Sequence, residues 1–253
     1  ESVINQSKPP KEIVLVIDGP IDSKLQNTVN SYAAKYKILK VVPLENNVGL
    51  GNALKIGMRH CSYELIARMD SDDISVPNRF EKQIQCFEED KELSLVGGYI
   101  REFDNDTDKI LSIREVPLDH SAIEVYLKSR CPFNHMSVMF KKSEVLSAGG
   151  YLDWHYNEDY YLWIRMYLAN CKFKNIPEVL VNVRASEGLY MRRGGKRYFQ
   201  SEKDIQRYML DQRVISIPRY CSNVVLRWIV QVGISNNMRR ILYLKLFRKQ
   251  ALD

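Results

Sequence analysis

The chain is sparing with cysteine and has no long apolar run. Its five cysteines among 253 residues (Cys61, Cys86, Cys131, Cys171, Cys221) are scattered and odd in number, and no Cys-x-x-Cys pair occurs. That excludes a zinc knuckle and a disulfide framework, and it fits a reducing compartment. No signal peptide is visible, and no apolar stretch is long enough to span a bilayer. There is no internal repeat and no low-complexity segment. The glycines of "NVGLGNALKIG" (Gly49, Gly51, Gly57) miss the Gly-x-Gly-x-x-Gly spacing, and there is no Walker sequence. Dinucleotide oxidoreductases and P-loop enzymes are therefore poor fits.

What is present is a globular composition, 45% hydrophobic and 27% charged, enough for a sizeable core. The charge is unevenly spread. From Arg184 onward 15 Lys/Arg face 5 Asp/Glu, an excess of ten, so the first 183 residues carry −4 of the total +6. An acidic body argues against a nucleic-acid-binding protein, which should carry a basic face on its core. The basic C-terminal third is left to meet another partner, an anionic membrane surface being one.

Apolar, β-branched "EIVLVID" (12–18) reads as a buried strand broken at Gly19-Pro20, "KILKVVPL" (37–44) as a second and "ELIARMD" (64–70) as a third. Helical patterns fill 22–36 and 50–61, and Ser75 with Pro77 reads as the start of another helix. This alternation predicts an α/β fold with a mostly parallel sheet covered by helices on both faces. Ligands bind such sheets at the carboxyl ends of strands, where Asp18 and Asp70-Ser71-Asp72-Asp73 fall. Further strands are expected over 93–103, 135–142 and 173–184, and a helix over 157–171.

Three carboxylates within four positions at the end of an apolar strand require an explanation. Asp70 and Asp72 point to one side of an extended chain. Two hard oxygen ligands facing one way suit Mg²⁺ or Mn²⁺, with positions left for water and phosphate; the alternative is a solvated, helix-capping turn. "DNDTDKILSIRE" (104–115) imitates a calcium loop but has Lys109 where that loop needs Gly, and reads as a hairpin turn. Glu158 and Asp159 are adjacent, so on a helix they point about 100° apart and do not share one task. His135 can bond a sugar hydroxyl or serve structure. "YMRRGGKRY" (190–198), with Arg192 and Arg193, is either a basic loop closing over a diphosphate or a solvated one. In 219–249, Ile234, Met238, Ile241, Leu242 and Leu246 follow helix spacing among basic residues, the composition of an interfacial helix or of one packed on a second subunit.

"IVLVIDGP", "NNVGLGNALKIG", "ARMDSDDISVPNRFEKQ", "NHMSVMF" and "NEDYYLWIR" occur in that order. Together they resemble the inverting, nucleotide-sugar-dependent glycosyltransferases of the GT-A fold (glycosyltransferase family 2), of the bacterial O-antigen and exopolysaccharide type. The resemblance covers residues 1–200 as one domain and leaves 201–253 as a basic helical extension. It implies transfer of a hexose, glucose or galactose by expectation, from a UDP-sugar to a polyprenyl-diphosphate-linked acceptor. It also implies an enzyme that is cytoplasmic and peripheral on the inner membrane. Asp72 would ligate a divalent metal, Mn²⁺ or Mg²⁺, with Asp70 beside it near the ribose. Asp18 and Arg68 would lie near the nucleotide, with Arg192 and Arg193 over the diphosphate. Asp159 would be the base, Glu158 would orient the acceptor, and Asn134 and His135 would line the acceptor pocket. Two departures stand out: only one carboxylate occurs at Ile17-Asp18, and the family's first strand is expected upstream of Glu1. A non-catalytic sugar-nucleotide or polysaccharide-binding module on the same fold is the alternative.

Overall fold

A computed structural model describes residues 1–104, 109–185, 194–235, 238–239 and 242. Strand β1 (Ile13–Ile17) is followed by helix α1 (Ser23–Lys35), capped by Asp22, whose carboxylate accepts the Leu25 N–H at 2.9 Å. Parallel to β1 lies β2 (Leu39–Pro43), register Ile13 to Leu39. Gly19 turns the chain between β1 and α1 at φ 96°, and a Cβ there would meet the Asn47 nitrogen at 2.9 Å, so only glycine fits. Helix α2 (Leu50–His60) covers this pair. Its Gly51 lets a distant loop approach: a Cβ would lie 2.9 Å from the Leu152 carbonyl and 3.4 Å from the Glu158 Cβ.

The main sheet runs β3 (Leu65–Ala67), β7 (Met139–Lys141), β5 (Leu93–Phe103), β8 (Lys172–Arg184), β4 (Ile74–Ser75), with β6 (Ile110–Arg114) also pairing with β5. β5 and β8 are parallel from Leu93–Lys172 to Phe103–Arg184, and the other pairings of this sheet are antiparallel. The α/β fold with flanking helices is thus observed, in a sheet more mixed than the alternation predicts. The reason is local: after β5 the chain returns by the β5–β6 hairpin rather than by a crossover helix. The calcium-like stretch (104–115) begins in that hairpin's connection and runs on through β6, and its residues 105–108 lie outside the described residues. β3 and β4 lie at the two ends of the strand order, so Arg68–Asp73 crosses from one edge of the sheet to the other.

Helix α3 (Arg79–Glu89) covers one face of the sheet through Phe80 and Phe87 against Leu93, Val96 and Leu180. Ser75 does not cap it: pairing with Val181 in β4 claims that residue, and the helix starts at Arg79, where Gln6 accepts the Phe80 N–H at 3.1 Å. α4 (His120–Leu127), α5 (Lys142–Ser147) and α6 (Glu158–Leu168) serve the second core, where Trp163 packs with Phe133, Phe140 and Phe173. The strand expected over 135–142 is shortened to β7 because His135–Ser137 forms a 3-10 turn.

α7 (Lys196–Asp211) crosses position 200 and sends Ile205 and Met209 into the same core. α8 (Ile217–Trp228) is joined to it by a buried ion pair, Arg227 to Glu202 at 2.5 Å. A π-helical turn over Ile229–Gly233 ends the helix, and Ile234 is extended, so 219–249 is not one continuous helix. Arg239 explains the stop: it is buried and donates to the Val230, Gln231 and Ile234 carbonyls at 2.9, 2.7 and 3.3 Å. Ile241, Leu246 and the last basic residues lie outside the described residues. No helix among the described residues is long and apolar enough to cross a membrane.

Candidate active site

β3 delivers Arg68 into the interior, where it is 6% exposed and donates through Nη1 to Asp70 Oδ2 at 2.6 Å. The strand end is held from below. Arg79, fully buried on α3, donates through Nη2 to the Arg68 carbonyl at 2.8 Å and the Val138 carbonyl at 3.2 Å. Burial and the nearby Arg68 charge lower its pKa to about 9, so it stays charged at neutral pH. One turn on, Gln83 donates to the carbonyls of Val96 and Ser137 at 2.7 and 2.9 Å. Two side chains of one helix thereby satisfy four buried carbonyls beneath the crossing segment.

The three carboxylates of this segment have separate fates. Asp70 is paired to Arg68. Asp73 turns inward, its Oδ1 accepting the Arg184 N–H at 3.0 Å while Oδ2 is buried without a partner. Burial, with the charges of Asp70 and Asp72, pushes it up to about 7. Asp72 is exposed. Among the described residues no three His, Cys, Asp or Glu side chains gather closely enough to hold a metal by themselves. An exposed Asp72 beside Asp70 fits instead a divalent ion that draws its other ligands from phosphate and water.

The second pair opens α6. Glu158 is buried and Asp159 half-buried in the first turn, after Asn157. Burial, then the charge of Asp159, pushes Glu158 up to about 7. Burial raises Asp159 as well, opposed by the Tyr160 N–H, which donates to its Oδ1 at 2.7 Å, and by the Arg68 guanidinium. The same Arg68 charge therefore acts on Asp73 at the crossing segment and on both carboxylates of α6. The two clusters share one field.

The other expected residues are placed as follows. Both Asp18 oxygens accept backbone amides, Val48 at 2.7 Å and Gly49 at 3.1 Å, fixing the loop that opens α2. Asn134 is buried, donating to the Gly98 carbonyl at 2.9 Å, with its Oδ1 unpartnered. His135 Nε2 lies 2.9 Å from the Tyr151 hydroxyl, and burial with the Arg68 charge holds the ring neutral, well below its ordinary pKa. Arg192 and Arg193 lie outside the described residues.

Sequence reasoning missed two neighbours of the site. Tyr151 follows Gly149-Gly150, both at positive φ, a pair that signals a constrained backbone. Cys131 reaches Asp159 Oδ2 at 3.6 Å; it opens the stretch 131–140 that the resemblance places at the acceptor pocket, but its thiol was given no role there.

Residues 1–147 match the family described as "Glycosyl transferase family 2". The chain is 40% identical over 210 residues to the amylovoran biosynthesis glycosyltransferase AmsE of Erwinia amylovora, covering 83% of this chain and 78% of that one. It is 34% identical over 250 residues to the Escherichia coli UDP-Gal:alpha-D-GlcNAc-diphosphoundecaprenol beta-1,3-galactosyltransferase, covering 98% and 90%. In fold it resembles the mannosyltransferase PcManGT from Pyrobaculum calidifontis, solved with GDP-Man and Mn²⁺, at TM-score 0.59 and 14% identity. That match covers 94% of this chain and 66% of that one.

Proposed function

We propose a reaction for this chain from one premise: it belongs to glycosyl transferase family 2 and is a glycosyltransferase. The reaction is transfer of a hexose from a UDP-sugar to a hydroxyl of a diphosphate-lipid-linked saccharide, in the making of a bacterial surface polysaccharide. The donor class and acceptor come from the Escherichia coli relative, which aligns over nearly the whole chain. The observation that carries the reading is the pairing of an open carboxylate site with a buried one around the charge of Arg68.

Asp72, with Asp70, would hold a divalent ion, which when bound would supply positive charge to the leaving diphosphate. Arg68 holds Asp70 and keeps the pair oriented. Asp159 takes the proton from the acceptor hydroxyl as that oxygen bonds to the anomeric carbon and the bond to the diphosphate breaks, with inversion. Glu158 orients the acceptor. Neutral His135 and buried Asn134 build the wall against which the acceptor packs. The lipid-linked acceptor requires work at a membrane surface, and α8 offers the contact: Ile217, Val225, Leu226 and Trp228 are exposed on it.

A panel of UDP-sugars tried with a GlcNAc-diphosphate-lipid acceptor, with and without EDTA, tests this. Transfer that stops in EDTA, returns with Mn²⁺ or Mg²⁺ and gives an inverted product supports the reading. Full activity in chelator removes the metal, and a product that retains the donor's configuration removes the in-line step.

A further inference from the structure

We infer that Cys131 is a positioning residue for the proposed base, its thiol donating to the Asp159 carboxylate and fixing that group's orientation. The inference rests on the reading of Asp159 as the base. Cys131 Sγ lies 3.6 Å from Asp159 Oδ2 and 3.5 Å from the Phe133 carbonyl. A thiol has one proton, and a hydrogen bond to an ionised acceptor is the stronger, so the carboxylate takes it. The other oxygen, Oδ1, already accepts the Tyr160 N–H. Two donors, one on each oxygen, stop the carboxylate from rotating. Burial and the charge of Asp159 hold the thiol well above its ordinary pKa. It is therefore a neutral donor, not a thiolate that would repel the base.

The segment that carries Cys131 is itself fixed. Arg114 Nη2 donates to the Cys131 carbonyl at 3.2 Å, Asn223 Nδ2 to the Lys128 carbonyl at 2.9 Å and Arg227 Nη2 to the Ser129 carbonyl at 2.5 Å. The backbone that carries the thiol therefore cannot shift away from Asp159 without breaking bonds to β6 and α8. The charged and titratable groups around Asp159 are Glu158 on its own helix, Arg68 beyond β3, Arg114 on β6, Tyr151 in the preceding loop and Cys131.

The test compares C131A with C131S, which have nearly the same volume and differ in the donor. The Asp159 carboxyl titration is followed by ¹³C NMR in labelled protein, with D159N identifying the resonance. A donor to the ionised form lowers the midpoint, so the midpoint in C131A should lie above that in C131S by on the order of half a pH unit. Turnover of C131A one unit below its midpoint should fall about threefold against C131S, with the donor KM unchanged. Equal midpoints in the two variants overturn the inference. If C131A does not fold, the isosteric pair C131T and C131V carries the same comparison. Activity retained by D159N overturns the base reading instead, and the midpoints report separately on the thiol contact.

Discussion

The two carboxylate clusters of the site are built in opposite ways. Asp70–Asp73 lies on a crossing segment, open to solvent at Asp72, with an arginine already paired at Asp70. Glu158–Asp159 lies at a helix start, Glu158 buried and Asp159 half-buried, with no salt bridge to either carboxylate among the described residues. An open carboxylate stays ionised and is suited to hold a cation. A buried one resists ionisation and is suited to accept a proton near neutral pH. Burial and the placing of the Arg68 charge thereby give the same side-chain chemistry two different settings, which the proposed reading uses for two tasks.

The largest expected effect breaks this division. D159N is nearly isosteric but accepts no proton, and kcat should fall roughly 10²–10⁴-fold while the donor KM holds. D72N should lose most activity differently, through a higher metal concentration for half-activation, because an amide is a poorer ligand. D73N supplies the contrast within one turn. Its Oδ1 can still accept the Arg184 N–H, so metal activation should stay near that of the parent. Metal titration of the three variants separates the assignments. A D73N defect matching that of D72N would show that the inward carboxylate, not the exposed one, serves the metal.

The next effect concerns stability on the base side. Arg227 and Glu202 are each 11% exposed, and Arg227 also holds the Ser129 carbonyl beside Cys131. R227A leaves Glu202 buried without its cation, at a cost of about 3–5 kcal/mol. Urea unfolding should show this loss. A loss below about 1 kcal/mol would mean that water relieves Glu202 in place of the arginine.

Much of this arrangement was legible in the sequence, and the reasons differ by element. β5 was read to its exact ends because the apolar and aromatic residues of 93–103 (Leu93, Leu95, Val96, Tyr99, Ile100, Phe103) suit a buried strand even with Gly97-Gly98 between them. The Asp cluster drew notice because carboxylates ending an apolar strand are costly without a purpose, whereas the Glu158–Asp159 pair stood out only through the resemblance of "NEDYYLWIR" to the family's motif. Asp18 has contacts that such reading did not contain: its two oxygens accept amides of the neighbouring loop. Ser75 shows the same for capping, since a remote strand claimed it first. Tertiary partners far along the chain decided each of these, and local pattern does not contain them.

A smaller effect lies in pH dependence. The two α6 carboxyls interact, so they titrate as a unit. The proposed base acts without its proton, and burial raises it, so kcat should climb along an acidic limb above the ordinary carboxylate range. E158Q removes a negative neighbour, which eases ionisation of Asp159. The limb should then move to lower pH, by up to about one unit. A limb that stays in place would show that burial alone raises Asp159.

The smallest effect asks whether the base side is also the side that meets lipid. The segment behind Cys131 is tied to α8 by Asn223 and Arg227, whereas the Asp70–Asp73 segment is held by α3. α8 exposes Ile217, Leu226 and Trp228, and no Asp or Glu occurs from Gln212 to Leu252. Burial of Arg227 and Arg239 removes two of the seven basic residues of 219–249 from the surface, which lowers the share that charge can contribute to the proposed membrane contact. Trp228 is a built-in probe: it is 51% exposed, Trp163 is fully buried and Trp154 is half-buried. Vesicles rich in phosphatidylglycerol should shift the tryptophan emission to the blue, and W228F should abolish the shift. R219Q should weaken vesicle binding about fivefold, the worth of roughly 1 kcal/mol for one basic residue at an anionic leaflet. It should raise KM for a lipid-linked acceptor while sparing the donor KM and transfer to a short soluble acceptor. If α8 instead covers a second copy of the chain, vesicles will leave the emission unchanged, and W228F will alter the sedimentation of the free protein.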